Sequence, residues 1–245
     1  MLVSQDISLT RNDAVTSMCG RFTITVTIGL PERFGVAYCK IPLLPRYNIA
    51  PSQPVTVITH PFGSVRECQE MTWGLVPSST KDPALNPRPI NARAETLHER
   101  STFRPLLSSH RCLIPATGFY EWVKSGKSSI PYYIHRRDGG LFAFAGLWDA
   151  WKAPDGLFRN TFTIITTRPN PLVARYHDRM PAILLPGNEA RWLGFGALSL
   201  KETEDLLSPY PEEYLTAYRV SRAVSDPLRE DASLIKRDEE SVLPV

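Results

Sequence analysis

The 245-residue sequence lacks any apolar run that approaches the roughly 18 residues of a membrane-spanning helix. Cysteine is scarce, and the four cysteines (Cys19, Cys39, Cys68 and Cys112) show no C-x-x-C spacing, which argues against a zinc site and against a disulfide framework. These absences favour a protein of the reducing cytoplasm that binds neither metal nor membrane. The net charge is only +3, so the composition neither requires nor excludes a polyanionic partner.

The overall composition is that of an ordinary globular domain, with 42% hydrophobic and 22% charged residues. A chain of this length buries a sizeable core, and β-rich domains of this size are often single. Residues 1–17 contain no apolar core of a secretory signal. We predict one domain over residues 18–236, an N-terminal extension at 1–17 that is absent from the active form, and a charged flexible tail at 237–245.

The 22 prolines and 14 glycines divide the chain into short segments, most of which alternate like β-strands. Strands are predicted at Phe22–Val26, Pro54–His60, Cys68–Leu75, Cys112–Pro115, Phe119–Val123, Pro131–His135, Leu141–Asp149, Thr161–Thr167, Ala182–Leu185 and Ala217–Val220. Within one of them, Leu141–Trp148 alternates large and small side chains, as a strand of a closed or tightly packed sheet does. Asp138-Gly139-Gly140 predicts a hairpin turn between two of these strands.

Helices are predicted to be few and short. Asn188 is expected to cap a helix over Glu189–Leu193, and Ser199 begins a capping-box sequence, S-L-K-E, for a helix that runs to Leu207. A third helix is predicted at Pro171–Tyr176. The fold class is therefore α+β: a β-rich single domain with a barrel-like or strongly curved mixed sheet and a few short helices.

The segment M-C-G-R-F, which begins at Met18, is the most informative part of the chain. If synthesis starts at Met18 and that residue is excised, Cys19 carries a free α-amine beside its thiol. Such a 1,2-aminothiol condenses with an aldehyde to an imine, and the thiol then closes a thiazolidine ring. An α-amine titrates near ~7.7–8.0 and a lysine near ~10.4, so at pH ~7.4 roughly a quarter of the former is neutral and about a thousandth of the latter. The alternative is an ordinary buried cysteine at the start of a strand.

Three further segments are more polar than a strand interior or a plain loop requires. Asn91, Arg93 and Glu95 occupy alternate positions, so in an extended segment they face one side. Glu121 lies among aromatic residues in G-F-Y-E-W, a setting that raises a carboxyl pKa if buried and suits a general acid. His177 follows a short predicted helix and precedes an apolar strand. The alternatives are a turn residue for Asn91, an exposed strand position for Glu121 and a helix-end site for His177.

Nine motifs follow one another between Met18 and about Leu234: M-C-G-R-F (18–22), P-R-Y-N-I-A-P (45–51), W-G-L-V-P (73–77), N-A-R-A-E-T (91–96), R-C-L-I-P (111–115), G-F-Y-E-W (118–122), F-A-G-L-W (144–148), F-T-I-I-T (162–166) and H-D-R-M-P (177–181). In content and order they closely resemble those of the SRAP family, the SOS-response-associated peptidases understood as abasic-site processing proteins. The resemblance covers almost the whole chain.

The resemblance implies an enzyme that captures the ring-opened aldehyde of an abasic site in single-stranded DNA. On this basis Cys19 supplies the amine and thiol for a Schiff base and then a thiazolidine cross-link, and Asn91 holds the amine and the sugar. Glu121 transfers protons during imine formation and ring opening, and His177 assists proton transfer at the deoxyribose and in reversal. A Schiff base at this sugar also undergoes β-elimination, so lyase activity is expected. The peptidase label refers to self-processing or to release of the adduct.

The same resemblance implies the DNA contacts. Arg21 and Arg93 correspond to arginines that grip flanking phosphates, and Thr166 is a further candidate for a phosphate or sugar contact. Trp122 and Pro51 are expected to wedge against bases beside the lesion. No metal or organic cofactor is implied, the partner is single-stranded DNA that contains abasic sites, and covalent capture by one site requires only a monomer.

The sequence departs from the family pattern in three places. Residues 1–17 precede the usual start, and while they are attached the nitrogen of Cys19 is an amide that cannot form a thiazolidine. Ser78 stands where a second tryptophan is frequent, and Ser225 with Asp226 stands near the position of a family asparagine. Two other functions stay open: an N-terminal-nucleophile amidohydrolase or peptidase that acts through Cys19, and a non-catalytic single-strand binder.

Overall fold

The computed structural model describes residues 19–37, 39–84 and 88–238. Their strands are β1 (Phe22–Ile24), β2 (Arg46–Ile49), β3 (Pro54–Thr59), β4 (Glu67–Trp73), β5 (Asn91–Arg93), β6 (Arg111–Ala116), β7 (Gly118–Ser125), β8 (Ser128–Arg136), β9 (Phe142–Lys152), β10 (Phe158–Thr167), β11 (Met180–Pro181), β12 (Ile183–Leu184) and β13 (Leu215–Arg219). The helices are α1 (Leu30–Arg33), α2 (Pro186–Trp192) and α3 (Leu200–Leu206). Short 3-10 helices lie at Ala94–Thr96, Arg104–Ser108, Val173–Arg175, Glu212–Tyr214, Arg222–Ser225 and Ala232–Ile235.

Five strands close into a barrel at the centre of the molecule. The ladder runs from β10 to β4, β3, β6 and β9 and returns to β10, so every one of these strands has a partner on both sides. The pairing of β4 with β10 is parallel and the other four pairings are antiparallel. The sheet is therefore mixed and barrel-like, and the predicted fold class is confirmed.

The alternation of large and small residues in β9 reflects how closely its neighbours approach. A Cβ added at Gly146 would lie 2.3 Å from Cδ1 of Ile114 and 2.9 Å from the carbonyl oxygen of Thr163. Both contacts are too short for any side chain, so only glycine fits between the strands on either side. The small residues of β9 thus let the barrel close, as the sequence pattern predicted.

A second, antiparallel sheet packs beside the barrel in the order β13-β8-β7-β1-β2. Side chains alternate across it, so Phe119 of β7 packs into the main core while Tyr120 packs into a second core on the opposite face. Residues of the two C-terminal 3-10 helices, Val224 and Leu234, complete that second core. Glu121 follows Tyr120 and shares the face of Phe119, which directs a carboxyl group inward.

The predicted helices are confirmed in one case and corrected in two. Ser199 caps α3 through a capping box, as its sequence indicated. The residue that caps α2 is Leu185, because the helix already begins at Pro186; Asn188 therefore lies inside it and caps nothing. Proline suits the first helical position, where no N–H is needed. The third predicted helix is reduced to a 3-10 turn over Val173–Arg175.

The predicted hairpin at Asp138-Gly139-Gly140 is wrong. The strand before it, β8, pairs with β7 and β13, whereas the strand after it, β9, pairs with β6, β10 and β12. The turn therefore carries the chain from the second sheet into the barrel. The short strands β2, β5 and β11 were not predicted, because two to four residues give too little alternation to detect.

The first two residues of the predicted C-terminal tail make contacts with the domain. Arg237 forms a β-bridge with Val220, and the carboxylate of Asp238 lies 3.0 Å from Nε of Arg219. These contacts attach both residues to the end of β13. The predicted N-terminal extension and the rest of the predicted tail lie outside the described residues. Within the described part of the chain, no helix is long and apolar enough to cross a membrane.

Candidate active site

A cavity of about 420 Å³ lies where the second sheet, the loop before β11 and the C-terminal segment meet. Its walls are formed by eight residues: Gly20, Arg21, Pro51, Glu121, Trp122, Ser129, His177 and Ser225. Five of the nine residues that the sequence proposed for the site are among them, although they are spread over more than 150 positions of the chain. The fold thus assembles a pocket from motifs that have no local connection.

Glu121 forms a buried wall of this cavity. It is only 2% exposed, and burial, more than any other influence, raises the pKa of its carboxyl group to about 8. The hydrogen bond donated by the backbone N–H of Cys19 lowers this pKa, and the charge of Asp178 raises it further. Glu121 is therefore buried, the condition under which the sequence predicted a raised pKa, and the alternative of an exposed strand position is wrong.

Cys19 lies directly behind this carboxyl group. Its backbone N–H donates a hydrogen bond of 3.2 Å to Oε1 of Glu121, and the residue is 1% exposed. Burial and then the neighbouring Glu121 raise the pKa of its thiol well above the ordinary range. The backbone at Cys19 has a φ of 37°, in the left-handed region that side chains other than glycine disfavour. Cys19 is therefore in contact with the cavity wall without lining the cavity.

His177 is placed in the cavity by the residue that precedes it. The ring of Tyr176 packs 4.6 Å from the ring of Tyr132, which lies opposite Glu121 across the β7–β8 ladder. This contact sets His177 over the same part of the second sheet. Nδ1 of His177 lies 2.9 Å from a carboxylate oxygen of Asp178 and 3.0 Å from the backbone N–H of Arg179.

Arg21 immediately precedes β1, lines the cavity and donates hydrogen bonds to three acceptors. Nη1 donates to Oδ1 of Asn48 at 2.7 Å and to the carbonyl of Val224 at 2.8 Å, and Nη2 donates to the carbonyl of Ser225 at 3.2 Å. Partial burial lowers its pKa from the usual value. These hydrogen bonds engage three of the five N–H donors of the guanidinium.

An aromatic ring and the C-terminal segment also line the cavity. Nε1 of Trp122 donates to Oγ of Ser225 at 3.2 Å, and Pro51 lines the cavity from the turn that follows β2. Ser225 had been noted in the sequence only as a departure from the family pattern. Its position in the cavity depends on contacts of the C-terminal segment with β2, for which the sequence carries no local signal.

Two predicted site residues lie on β5, outside the cavity-lining set. Asn91 is half-buried and Arg93 is exposed, and they share one face of a three-residue strand that runs parallel to β10. The strand ends at Arg93, and Glu95 lies in the following 3-10 helix. The prediction that all three side chains face one side is therefore wrong for Glu95, because the chain leaves the extended conformation after two alternations.

Glu95 instead forms a fork-shaped ion pair with Arg179, with N–O distances of 2.7 and 2.8 Å. Nη2 of Arg179 also donates to the carbonyl oxygen of Thr166 at 2.7 Å. Thr166 lies behind this arginine and is 0% exposed. The prediction of a DNA contact for Thr166 is accordingly corrected, since the residue has no exposed surface. Arg179 was missed, although it belongs to the H-D-R-M-P motif.

The chemistry available at this cavity is proton transfer beside a nitrogen and a thiol. A carboxyl group whose pKa is about 8 exchanges protons readily at neutral pH, and an imidazole and an arginine face the same space. Among the described residues, no group of three or more histidine, cysteine or acidic side chains is arranged to hold a metal ion.

Comparison with known proteins identifies the family of this chain. Residues 18–227 match the family model described as "SOS response associated peptidase (SRAP)". The chain belongs to this family. It is 42% identical over 223 residues to the abasic site processing protein YoqW of Bacillus subtilis, a match that covers 89% of this chain and 99% of YoqW. It is 32% identical over 215 residues to the abasic site processing protein HMCES of Xenopus tropicalis, covering 74% and 63% of the two chains.

Solved structures show the same fold. A crystal structure of a protein from Bacteroides thetaiotaomicron matches with a TM-score of 0.80 and 31% identity, over 90% of this chain and all of the other. A protein from Bordetella bronchiseptica matches with a TM-score of 0.70 and 28% identity, over 83% of this chain and all of the other. The fold of this SRAP member is therefore shared with crystallographically determined relatives.

Proposed function

We propose that this protein processes abasic sites in single-stranded DNA, and that it does so by forming a covalent thiazolidine with the abasic-site aldehyde through Cys19. The family membership and the names of the relatives support abasic sites as the substrate. The observation that carries the chemistry is the 3.2 Å contact between the nitrogen of Cys19 and the buried carboxyl group of Glu121. This contact supports Glu121 as the proton-exchanging group at the nitrogen that the reaction needs.

The pKa values of the two groups suit proton exchange. A terminal α-amine titrates near ~7.7–8.0, and the pKa of Glu121 is raised to about 8. When the pKa values of two groups in contact are nearly equal, moving a proton between them costs little free energy. Glu121 can therefore accept a proton from the ammonium form of Cys19, which leaves a neutral and nucleophilic amine, and return it at a later step.

The proposed reaction balances with the loss of one water. The neutral amine of Cys19 attacks C1′ of the open-chain sugar, and the aldehyde oxygen becomes a hydroxyl group. Glu121 then delivers a proton to that hydroxyl, which leaves as water, and the resulting carboxylate takes the remaining proton of the nitrogen as the neutral C=N bond forms. The thiol adds its sulfur to the same carbon while its proton passes to the imine nitrogen, which closes the five-membered ring. The amine and thiol belong to one residue, so ring closure is intramolecular and fast.

The reactive form requires that Cys19 be the first residue, since a peptide nitrogen cannot form the imine. Release of the preceding residues would also remove the backbone torsion that lies in a disfavoured region, because a first residue has no φ. The buried thiol stays protonated at neutral pH, which suits a step in which it gives up its proton only after the imine exists.

The remaining residues are assigned to binding and to sugar chemistry. Arg21, which lines the cavity, would bind a phosphate through its guanidinium. Trp122 and Pro51 offer stacking surfaces for unpaired bases at its edge. Arg93, exposed on β5, would contact the backbone of the strand farther from the lesion, and Asn91 would orient the amine and the sugar. His177 would transfer protons at the deoxyribose, which includes the β-elimination expected of a lyase.

A cross-linking assay tests the proposal. Protein prepared to begin at Cys19 is mixed with single-stranded DNA that carries one abasic site, and the products are separated on a denaturing gel. We expect a covalent adduct that Cys19→Ser abolishes and that Cys39→Ser, a change in a partly exposed cysteine outside the cavity, leaves intact. An equal adduct from Cys19→Ser would refute the proposal. Turnover of amide substrates without any adduct would favour the N-terminal-nucleophile alternative, and lesion-independent affinity alone would favour the non-catalytic binder.

A further inference from the structure

The imidazole of His177 has two neighbours at one nitrogen that require opposite protonation. A carboxylate oxygen of Asp178 lies 2.9 Å from Nδ1, and the backbone N–H of Arg179 lies 3.0 Å from the same atom. The carboxylate can only accept a hydrogen bond, so it needs a proton on Nδ1. The backbone N–H can only donate, so it needs the lone pair of Nδ1. One nitrogen cannot satisfy both contacts at once.

Which of these two contacts Nδ1 satisfies determines whether the other ring nitrogen, Nε2, donates or accepts a proton in the cavity. If Nδ1 carries the proton of the neutral ring, Nε2 has a lone pair and accepts protons. If Nδ1 accepts from Arg179, the proton of the neutral ring sits on Nε2, which then donates. His177 lines the cavity and its Nδ1 is engaged on the protein side, so Nε2 is the nitrogen left for a bound sugar.

The backbone contact is a fixed feature of the fold, whereas the carboxylate is supplied by one side chain. Arg179 is held by its fork-shaped ion pair with Glu95 and by its bond to Thr166, immediately before β11 pairs with β10. The Asp178 side chain is 87% exposed and needs no other role in the fold. A negatively charged acceptor makes a stronger hydrogen bond than a neutral one, so it can compete with the backbone donor.

We propose that Asp178 is a positioning residue that draws the proton of the neutral His177 ring onto Nδ1 and thereby makes Nε2 a proton acceptor. Without this carboxylate, the N–H of Arg179 would hold the ring in the opposite form. The assignment of His177 to sugar chemistry rests on the proposed function, but the tautomer itself does not. In β-elimination, Nε2 would take the proton that leaves C2′ of the imine-linked sugar, while the C3′–O bond breaks and the phosphate departs.

Nitrogen-15 NMR of the histidine rings tests the tautomer directly, in the protein without DNA. The protonated and unprotonated nitrogens of a neutral imidazole resonate far apart, and His177→Gln identifies the signals among those of the five histidines. At about pH 9, where histidine is ordinarily neutral, we expect the form with the proton on Nδ1 to predominate. Asp178→Ala should move the ratio toward the Nε2–H form by about threefold or more.

Two further variants distinguish the effect of the Asp178 carboxylate on the tautomer from a general effect of removing a surface charge. Asp178→Asn keeps an acceptor oxygen of the same size without the charge, so its ratio should lie between those of the parent and Asp178→Ala. Asp205→Asn removes an exposed carboxylate on α3 and should change nothing. A parent protein whose ring is already in the Nε2–H form, or an unchanged ratio in Asp178→Ala, would overturn the proposal.

An activity measurement then asks whether the tautomer matters. With protein that begins at Cys19, Asp178→Ala should slow strand cleavage by β-elimination severalfold more than it slows cross-linking, since only the former removes a proton from C2′. Equal effects on both steps would overturn the assigned role of Nε2. If the parent protein formed no adduct at all, the proposed function would fail, and the NMR result would still decide the tautomer.

Discussion

Replacing Glu121 with glutamine is expected to stabilise the protein at neutral and alkaline pH, although it removes a proposed catalytic group. Burial raises the pKa of Glu121 from its ordinary value of 4.5 to about 8. Between these two values the folded protein keeps a proton that the unfolded chain has released. The folded state then binds more protons than the unfolded state, so stability falls as the pH rises through this window.

The size of the effect follows from the width of the window. At about 1.4 kcal/mol per pH unit, the rise corresponds to a ceiling of about 5 kcal/mol, reached above about pH 8. Glutamine is isosteric and stays neutral, and its side-chain oxygen can still accept the N–H of Cys19. The free energy of unfolding of Glu121→Gln, minus that of the parent, should therefore be near zero at about pH 4 and reach a few kcal/mol by about pH 8.

Urea denaturation of both proteins at several pH values measures this difference in the free energy of unfolding. The contributions of titrating groups that both proteins share cancel in the difference. Glu95→Gln is the matched control, and the pH dependence of its stability difference should have the opposite sign. The hydrogen bond from Arg179 lowers the pKa of Glu95, so its carboxylate stabilises the fold above the ordinary pKa, and this stabilisation disappears as the pH falls through the folded value. The side chain is 45% exposed, so its loss should cost no more than about 1 kcal/mol. A difference for Glu121→Gln that stays flat or falls with pH would refute the buried, protonated carboxyl.

Three further changes have defined outcomes. Gly118→Ala places a Cβ 2.4 Å from the ring of Tyr133 and should lower the free energy of unfolding by about 1–3 kcal/mol or more; an unchanged melting temperature would contradict the close packing. Arg21→Lys loses the fork that reaches three acceptors, so we expect a loss of about 1–3 kcal/mol and weaker single-strand binding, measured by urea denaturation and fluorescence anisotropy. Trp122→Ala should weaken single-strand binding by about 1–3 kcal/mol, since base stacking contributes this much; Phe158→Ala, in an exposed aromatic residue outside the cavity, should leave affinity unchanged.

The local sequence pattern was sufficient to predict those features that depend on a single strand or turn. The aromatic neighbours of Glu121 indicated a raised carboxyl pKa if the residue is buried, and the structure shows that it is buried. The S-L-K-E sequence at Ser199 fixed the start of α3, because a capping box involves only four consecutive residues. Alternation in β9 indicated a closed sheet, because small residues are needed wherever neighbouring strands approach closely.

Features that depend on distant partners could not be predicted in this way. Asp138-Gly139-Gly140 has the composition of a hairpin turn, but the hydrogen-bonding partners of β8 and β9 lie in two different sheets. Ser225 lines the cavity because the C-terminal segment packs on β2. Thr166 is buried, and the side chain of Arg179 binds its carbonyl oxygen. Such contacts join residues that are distant in the sequence and carry no local sequence signal. They form only when the sheets have assembled.

The account depends most directly on the primary amine of Cys19. Intact-mass measurement of the reaction with abasic single-stranded DNA compares protein that begins at Cys19 with the full 245-residue chain. We expect an adduct from the former only, with the summed mass of protein and DNA less one water. An adduct formed equally by the full chain, with its N-terminal residues still attached, would contradict the proposed chemistry.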